Sequence, residues 1–151
     1  MKIDWNFPKP GPGFGGMIDK FVGPGATRAE MLLQIIIPVI FAVAAPLYAM
    51  QRVENWSLIQ YMLCGVIAFD IAGGVITNST SSAKRWYHRP GQNFTNHIGF
   101  TSIHRFHLLL VSWLYLSFNI TWVIVSGSYL LIAAVIILSV PRYLQRPVSL
   151  L

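Results

Sequence analysis

Residues 31–50 form a predominantly apolar stretch that contains no charged side chain. A helix of about 20 apolar residues is as long as the hydrocarbon core of a bilayer is thick. Only 11% of the whole chain is charged, whereas soluble domains carry roughly 25%. A chain with so few charges lacks the polar side chains that would cover a water-facing surface. The sequence therefore predicts an all-α integral membrane protein.

Four membrane-spanning helices in a small bundle are predicted, over residues 31–50, 56–78, 98–118 and 120–140. The second begins at Trp56, an aromatic residue that suits the lipid–water interface. From residue 97 to residue 140 the chain is almost wholly apolar, which is too long for one span and sufficient for two. A turn at Asn119 or a turn at Gly127 would separate these two spans, and the sequence does not choose between them.

The rest of the chain is arranged around this transmembrane domain of residues 29–142. Residues 1–28 are rich in proline and glycine and are predicted to be an irregular or interfacial segment. Residues 79–96 are predicted to be a polar loop, and residues 143–151 a short basic tail. The single cysteine, Cys64, lies in an apolar run and leaves no internal disulfide to be made.

Basic residues are distributed unequally over the two membrane sides that four spans define. Ten of the eleven lie in the N-terminal segment, in the long loop and its exit, or in the tail, and only Arg52 lies on the other side. Cytoplasmic segments of membrane proteins carry an excess of Lys and Arg. Both termini are therefore predicted to be cytoplasmic, in an inner or plasma membrane. The membrane also accounts for the net charge of +6, and no nucleic-acid partner is predicted.

Asp70 is the one acidic residue deep inside a predicted span. A charge there costs about 2.5–3.5 kcal/mol on insertion scales, which makes the residue a candidate for function. The alternative is a protonated or hydrogen-bonded side chain that only supports packing. Gly73 and Gly74 follow directly and would let another helix approach closely. A stripe of small and polar residues continues at helical spacing towards the cytoplasm, through Gly74, Thr77, Asn78 and Ser81.

All four histidines lie between residues 88 and 107. In a helix that begins near residue 97, His97, His104 and His107 share roughly one face. His104 and His107 are only about 4.5 Å apart along the axis, so that this pair could bind one ion. His97 and His104 are about 10 Å apart, so that His97 would need a second ion or would transfer protons. His88 lies in the loop and could fold back onto either position.

Asp70 and the His104–His107 pair are predicted to meet at similar depth in the cytoplasmic half of the bilayer. Two or three histidines with one carboxylate are typical ligands of zinc and of non-haem iron. The predicted metal ligands are Asp70, His104, His107 and His88, and the predicted catalytic residues are Asp70 and His97. A haem between helices is the second cofactor considered, and it would need a symmetry mate to supply the opposite axial ligand.

Three cations in the predicted loop, Lys84, Arg85 and Arg89, lie beside Trp86 and Tyr87. Basic and aromatic residues at a cytoplasmic interface suit anionic lipid headgroups. These cations are therefore predicted to hold the headgroup of a lipid substrate. Their alternative role is only to fix the orientation of the helices in the membrane.

These residues favour a metal-dependent enzyme, a hydrolase or an oxidase, that acts on a lipid or another apolar substrate. One alternative is a transporter or channel component in which Asp70 and the histidines handle protons or cations. Four helices make a thin pore wall, so that this alternative needs a homo-oligomer or a partner. The other alternative is an accessory subunit of a larger membrane complex.

Overall fold

A computed structural model describes residues 8–150 of the chain. Within these residues the protein is all-helical and has no strand, as the sequence predicted. The chain divides into an N-terminal unit, Met1–Pro90, and a C-terminal unit, Gly91–Leu151. The helices of the described residues are α1 (Gly13–Val22), α2 (Arg28–Arg52), α3 (Leu58–Ser79), α4 (Ser81–Tyr87), α5 (Phe94–Ile103), α6 (Arg105–Tyr115), α7 (Ile120–Ser139) and α8 (Arg142–Val148).

Three helices, α2, α3 and α7, are long and apolar enough to cross a membrane. They coincide with the spans predicted over residues 31–50, 56–78 and 120–140. Only 11% of the most apolar window of each helix is buried, so that most apolar side chains face outward. Lipid can cover such a surface, whereas exposing it to water costs a large amount of free energy. The three helices therefore indicate a membrane protein.

The third predicted span, residues 98–118, does not form one continuous helix. It is divided between α5 and α6, which meet at His104, and α6 ends at Tyr115. The carbonyl of His104 accepts the N–H of His107 at 3.0 Å as well as that of Leu108 at 3.3 Å. The first of these bonds joins residues three apart, as in a 3₁₀ turn. Helices of ten and eleven residues are each shorter than the hydrocarbon core requires, so that the fourth span stays a prediction.

The turn before α7 lies at Asn119 and not at Gly127. Ser117 and Phe118 have φ values of 51° and 57°, in the left-handed region that reverses the chain. The side chain of Asn119 then caps the first turn of α7. Gly127 is buried inside α7, where a Cβ would lie 3.7 Å from the side chain of Arg105 in α6. That is an ordinary van der Waals distance, so that Gly127 faces α6 inside the helix and does not mark a turn.

In the N-terminal unit, α2 and α3 pack antiparallel through small residues. A Cβ at Gly65 would lie 2.8 Å from the carbonyl oxygen of Ala42, and one at Gly73 would lie 3.6 Å from the ring of Pro38. Small residues allow this close approach between helices. Gly73 faces α2 but at an ordinary contact distance, so that Gly65 is the position where the close approach requires glycine. A Cβ at Gly74 would meet no atom within 4 Å, so that Gly74 is not part of the contact.

The segments outside the apolar helices are more regular than the sequence predicted. The N-terminal segment, residues 1–28, contains α1, although its residues 1–7 lie outside the described part of the chain. The polar loop, residues 79–96, contains α4 and the start of α5, and the tail contains most of α8. Gly23 follows α1 with a φ of 89°. A Cβ at Gly23 would collide with the backbone of Ser82, so that α1 can pack this closely on α4 only with glycine there.

Candidate functional site

His104 and His107 lie next to each other at the junction of α5 and α6. Their ring centroids are 5.5 Å apart and the rings are nearly perpendicular, at 86°. The 3₁₀ turn explains this proximity, because residues three apart are eclipsed when a turn contains three residues. Both side chains are half-buried. Two imidazoles in this arrangement present nitrogen ligands to one small region of space.

The ring of His104 is oriented by its own helix. Its Nδ1 lies 3.2 Å from the carbonyl oxygen of Phe100. Because a carbonyl can only accept a hydrogen bond, this contact assigns the proton to Nδ1 and the lone pair to Nε2. Histidines that bind metals usually donate their other ring N–H in this way. The ring of Phe100 also packs edge-on against His104, with centroids 5.2 Å apart.

His97 and His88 are placed differently from this pair. His97 is half-buried in α5, one helix before His107. The prediction that His97, His104 and His107 share one face assumed one continuous helix. Because α5 ends at Ile103 and α6 begins at Arg105, that assumption does not hold for His107. His88 is an exposed residue at the C-terminal end of α4, in the N-terminal unit.

Asp70 is half-buried in α3, in the N-terminal unit. It lies nine residues before the last residue of that helix, Ser79. The polar stripe that was predicted to follow it is not one surface. Thr77 is only 7% exposed, and its hydroxyl has no hydrogen-bond partner among the described residues. Gly74 and Asn78, in contrast, are exposed.

A buried polar junction, which no local sequence pattern predicts, holds together α1, α2 and α4. The carbonyl oxygen of Val22 accepts a hydrogen bond from Nε2 of Gln34 at 3.1 Å. It accepts another from the hydroxyl of Ser82 at 3.0 Å. All three residues are at most 1% exposed. This junction fixes the C-terminal end of α1 between the start of α2 and the start of α4.

Glu30 extends the junction from α2 to α4. One carboxylate oxygen accepts the backbone N–H of Thr27 at 2.9 Å, and the hydroxyl of Thr27 accepts the N–H of Glu30, which completes a capping box. The other oxygen accepts the N–H of Ser82 at 3.1 Å. The spacing of Thr27 and Glu30 just before an apolar run is a sequence signal for the cap. The contact with Ser82 spans 52 positions and has no local signal.

The cations and aromatic residues of the predicted loop lie on α4 and directly after it. The guanidinium of Arg89 lies 3.7 Å from the ring centre of Trp86 and donates to the Trp86 carbonyl. Lys84 and Arg85 are half-buried. The hydroxyl of Tyr87 donates to the carbonyl of Phe21 at 3.0 Å. Burial raises the pKa of Tyr87 above its ordinary value of 10.0, and the nearby charge of Arg89 acts in the opposite direction.

Comparisons with family models, with curated proteins and with solved structures each gave no match to this chain.

Proposed function

We propose that this protein is a multi-pass membrane protein that binds a divalent metal ion through His104 and His107. The observation that carries the proposal is the orientation of His104, whose Nδ1 is engaged by the carbonyl of Phe100. The perpendicular neighbour ring of His107 adds a second nitrogen ligand. Imidazole nitrogen is a ligand that zinc, iron and copper accept. A half-buried pair with one nitrogen already fixed is better suited to an ion than two freely rotating exposed side chains.

Asp70 is the third ligand in this proposal. The argument for it compares how far Asp70 and His104 lie from the ends of their helices. Asp70 lies nine residues before the end of α3 and His104 lies ten residues after the start of α5. At about 1.5 Å per residue these distances are about 14 Å and 15 Å. In the proposed four-span topology both are measured from the same cytoplasmic surface. A charged carboxylate at that depth in a bilayer is costly unless an ion or a hydrogen-bond partner stabilises it.

The ion would make the protein a metal-dependent enzyme for a lipid or another apolar substrate. A bound divalent ion supplies Lewis acidity and lowers the pKa of coordinated water, and iron or copper also supplies redox chemistry. His97 is the proposed proton-transfer residue, because about 10 Å along the axis of α5 separates it from His104 and it cannot share one ion with that residue. His88, from the loop, is the additional ligand in the sequence prediction. Zinc would indicate hydrolysis, and iron or copper would indicate oxidation.

Elemental analysis of the purified full-length protein, expressed without a histidine tag, tests this proposal. We expect near-stoichiometric metal in the wild type and its loss in His104→Ala, His107→Ala and Asp70→Asn. The matched controls are His97→Ala and Asp19→Asn, which remove the same chemical groups elsewhere and should keep the metal. His88→Ala shows whether the loop histidine is a further ligand. No metal in the wild type, or equal metal in all variants, would refute the site.

A role as subunit of a larger membrane complex is the second candidate, and one observation favours it. Among the described residues, the buried hydrophobic core consists only of Val22, Ala49, Ala72 and Ala83. So small a core provides little stability by itself, so that lipid or another protein must cover the apolar helix faces. A stable complex of higher mass in mild detergent, lost when this chain is expressed alone, would favour this role. Proton or cation flux in liposomes would favour the transporter alternative.

A further inference from the structure

Helix α1 presents an exposed apolar stripe. Phe14, Met17 and Phe21 are 75%, 66% and 53% exposed. At about 100° per residue, these positions fall within about 60° of one another around the helix axis. With ten residues, α1 is about 15 Å long, which is half the thickness of the hydrocarbon core at about 30 Å. The stripe therefore cannot belong to a membrane-spanning helix, although it is apolar enough to enter lipid.

Hydrogen bonds hold α1 beside the ends of two candidate membrane-spanning helices. The carbonyl of Val22 accepts hydrogen bonds from Gln34, in the second turn of α2, and from Ser82, which follows the end of α3. The hydroxyl of Tyr87 donates to the carbonyl of Phe21. Both α2 and α3 are candidate spans. If both cross the bilayer, the beginning of α2 and the end of α3 lie at the same lipid–water boundary. These bonds hold the C-terminal end of α1 there.

Positive charge accompanies the stripe. Lys20 is an exposed residue of α1, and Lys84 and Arg85 lie half-buried on the neighbouring α4. Half-burial covers the aliphatic stem of such a side chain and leaves its charged end able to reach outward. The two carboxylates of this region are engaged by backbone N–H groups, Asp19 by Gly11 at 2.8 Å and Glu30 by its capping box. Both carboxylates keep their negative charge, but the three cations outnumber them, so that this surface carries a net positive charge.

We propose that α1 lies in the plane of the membrane and that its stripe, with Lys20, Lys84 and Arg85, binds anionic phospholipid. The three apolar side chains enter the acyl region, while the ammonium and guanidinium groups pair with phosphates above it. Arg85 can bind a phosphate through two parallel hydrogen bonds, which Lys84 cannot. This surface is separate from the proposed metal site and does not rest on it.

The depth of α1 is tested with the full chain in phosphatidylcholine vesicles that contain an equal amount of phosphatidylglycerol. With Cys64→Ser as background, Phe14→Cys and Gly15→Cys each receive an environment-sensitive fluorophore. Gly15 is the matched control because it lies about 100° away around the helix and a Cβ there would meet no atom within 4 Å. We expect iodide in the water to quench the label at position 15, and a quencher on the acyl chains to quench the label at position 14.

The charge preference is tested by the lipid that remains bound to the purified full-length protein. The lipid mixture contains equal amounts of phosphatidylcholine and phosphatidylglycerol, and native mass spectrometry counts each. We expect the wild type to retain phosphatidylglycerol preferentially. Lys84→Gln and Arg85→Gln should each weaken this retention about fivefold, since one cation near an anionic surface contributes about that factor. Arg52→Gln is the control, because it removes an exposed charge at the opposite end of α2.

Each measurement can overturn the proposal. Equal quenching by iodide at positions 14 and 15 would show that the stripe lies in water. Protection of position 14 from both iodide and the lipid quencher would show that protein, either the same chain or a second copy of it, covers the stripe. Equal retention of phosphatidylglycerol by the wild type, Lys84→Gln and Arg85→Gln would show that the cations do not bind the headgroup. Metal content should be unchanged in all of these variants, so that failure here is distinct from failure of the metal site.

Discussion

The hydroxyl of Ser82 donates a hydrogen bond to the carbonyl oxygen of Val22 over 3.0 Å, which joins residues that are 60 positions apart. Ser82 has no exposed surface and Val22 is 1% exposed. The bond connects α4 to the last residue of α1. Because the same carbonyl also accepts from Gln34 of α2, three helices of the N-terminal unit meet at one oxygen atom.

Ser82→Ala should therefore destabilise the N-terminal unit. The lost hydrogen bond contributes about 1 kcal/mol, and the penalty stays moderate because Gln34 still satisfies the Val22 carbonyl. Ser81→Ala is the control, since Ser81 is exposed at the start of the same helix. The free energy of unfolding in mild detergent measures the difference. If both variants unfold at the same denaturant concentration, the junction does not stabilise the fold.

Two buried threonines should respond in opposite ways to the same substitution. Thr77 and Thr80 are each 7% exposed. The hydroxyl of Thr80 donates to the Thr77 carbonyl at 2.8 Å, whereas the hydroxyl of Thr77 has no partner within residues 8–150. Thr80→Val should cost about 1 kcal/mol in stability, while Thr77→Val, which removes an unsatisfied buried group, should be neutral or stabilising. Thermal unfolding of the two variants in one detergent checks this. A larger loss for Thr77→Val would indicate that a water molecule or an ion satisfies its hydroxyl.

Tyr87 should make the docking of α1 sensitive to alkaline pH. Its folded-state pKa lies above its ordinary value of 10.0 because of burial. The folded state therefore keeps the proton to a higher pH than the unfolded state does, and the stabilisation is complete below pH 10.0. It is lost as the pH rises through the folded value, where the phenolate can no longer donate to the Phe21 carbonyl.

The alkaline loss of stability should accordingly be smaller in Tyr87→Phe than in the wild type. Both proteins are unfolded by denaturant over a series of pH values that brackets 10.0, the ordinary pKa of tyrosine. Lysine titration contributes equally to both and cancels in the comparison. Tyrosine absorbance of the folded proteins should show one late-titrating group that is missing from the variant. Parallel stability curves would contradict the buried, proton-donating state of Tyr87.

The four-span topology predicts which side of the membrane each exposed position faces. In a Cys64→Ser background, cysteine is introduced at Glu54, Ser81 and Leu150, which are exposed positions. We expect a membrane-impermeant maleimide to label Glu54→Cys from outside and the other two only after the inner side is opened. Labelling of Leu150→Cys from outside would show an odd number of spans. The divided segment formed by α5 and α6 would then not cross the bilayer.

Part of the candidate site was predictable because its signals are local. The spacing of His104 and His107 in a helical segment predicts that their side chains are neighbours, and the rings are in contact. The bond from His104 to Phe100 also joins residues four apart. The break of the helix at His104 was not predictable, because no proline or glycine stands at that residue. The prediction that His97 shares a face with His107 assumed an unbroken helix, and the break at His104 removes that assumption.

The sequence by itself determined that this chain is helical and that α2, α3 and α7 are apolar along a membrane-spanning length. Composition and length suffice there, because lipid imposes the same requirement on every side of a helix. The tertiary structure alone decided that α1 and α4 form and that Val22, Gln34 and Ser82 share one hydrogen-bonded junction. These contacts join distant positions whose polar groups must be satisfied once they are buried, and no local pattern specifies which partner satisfies each.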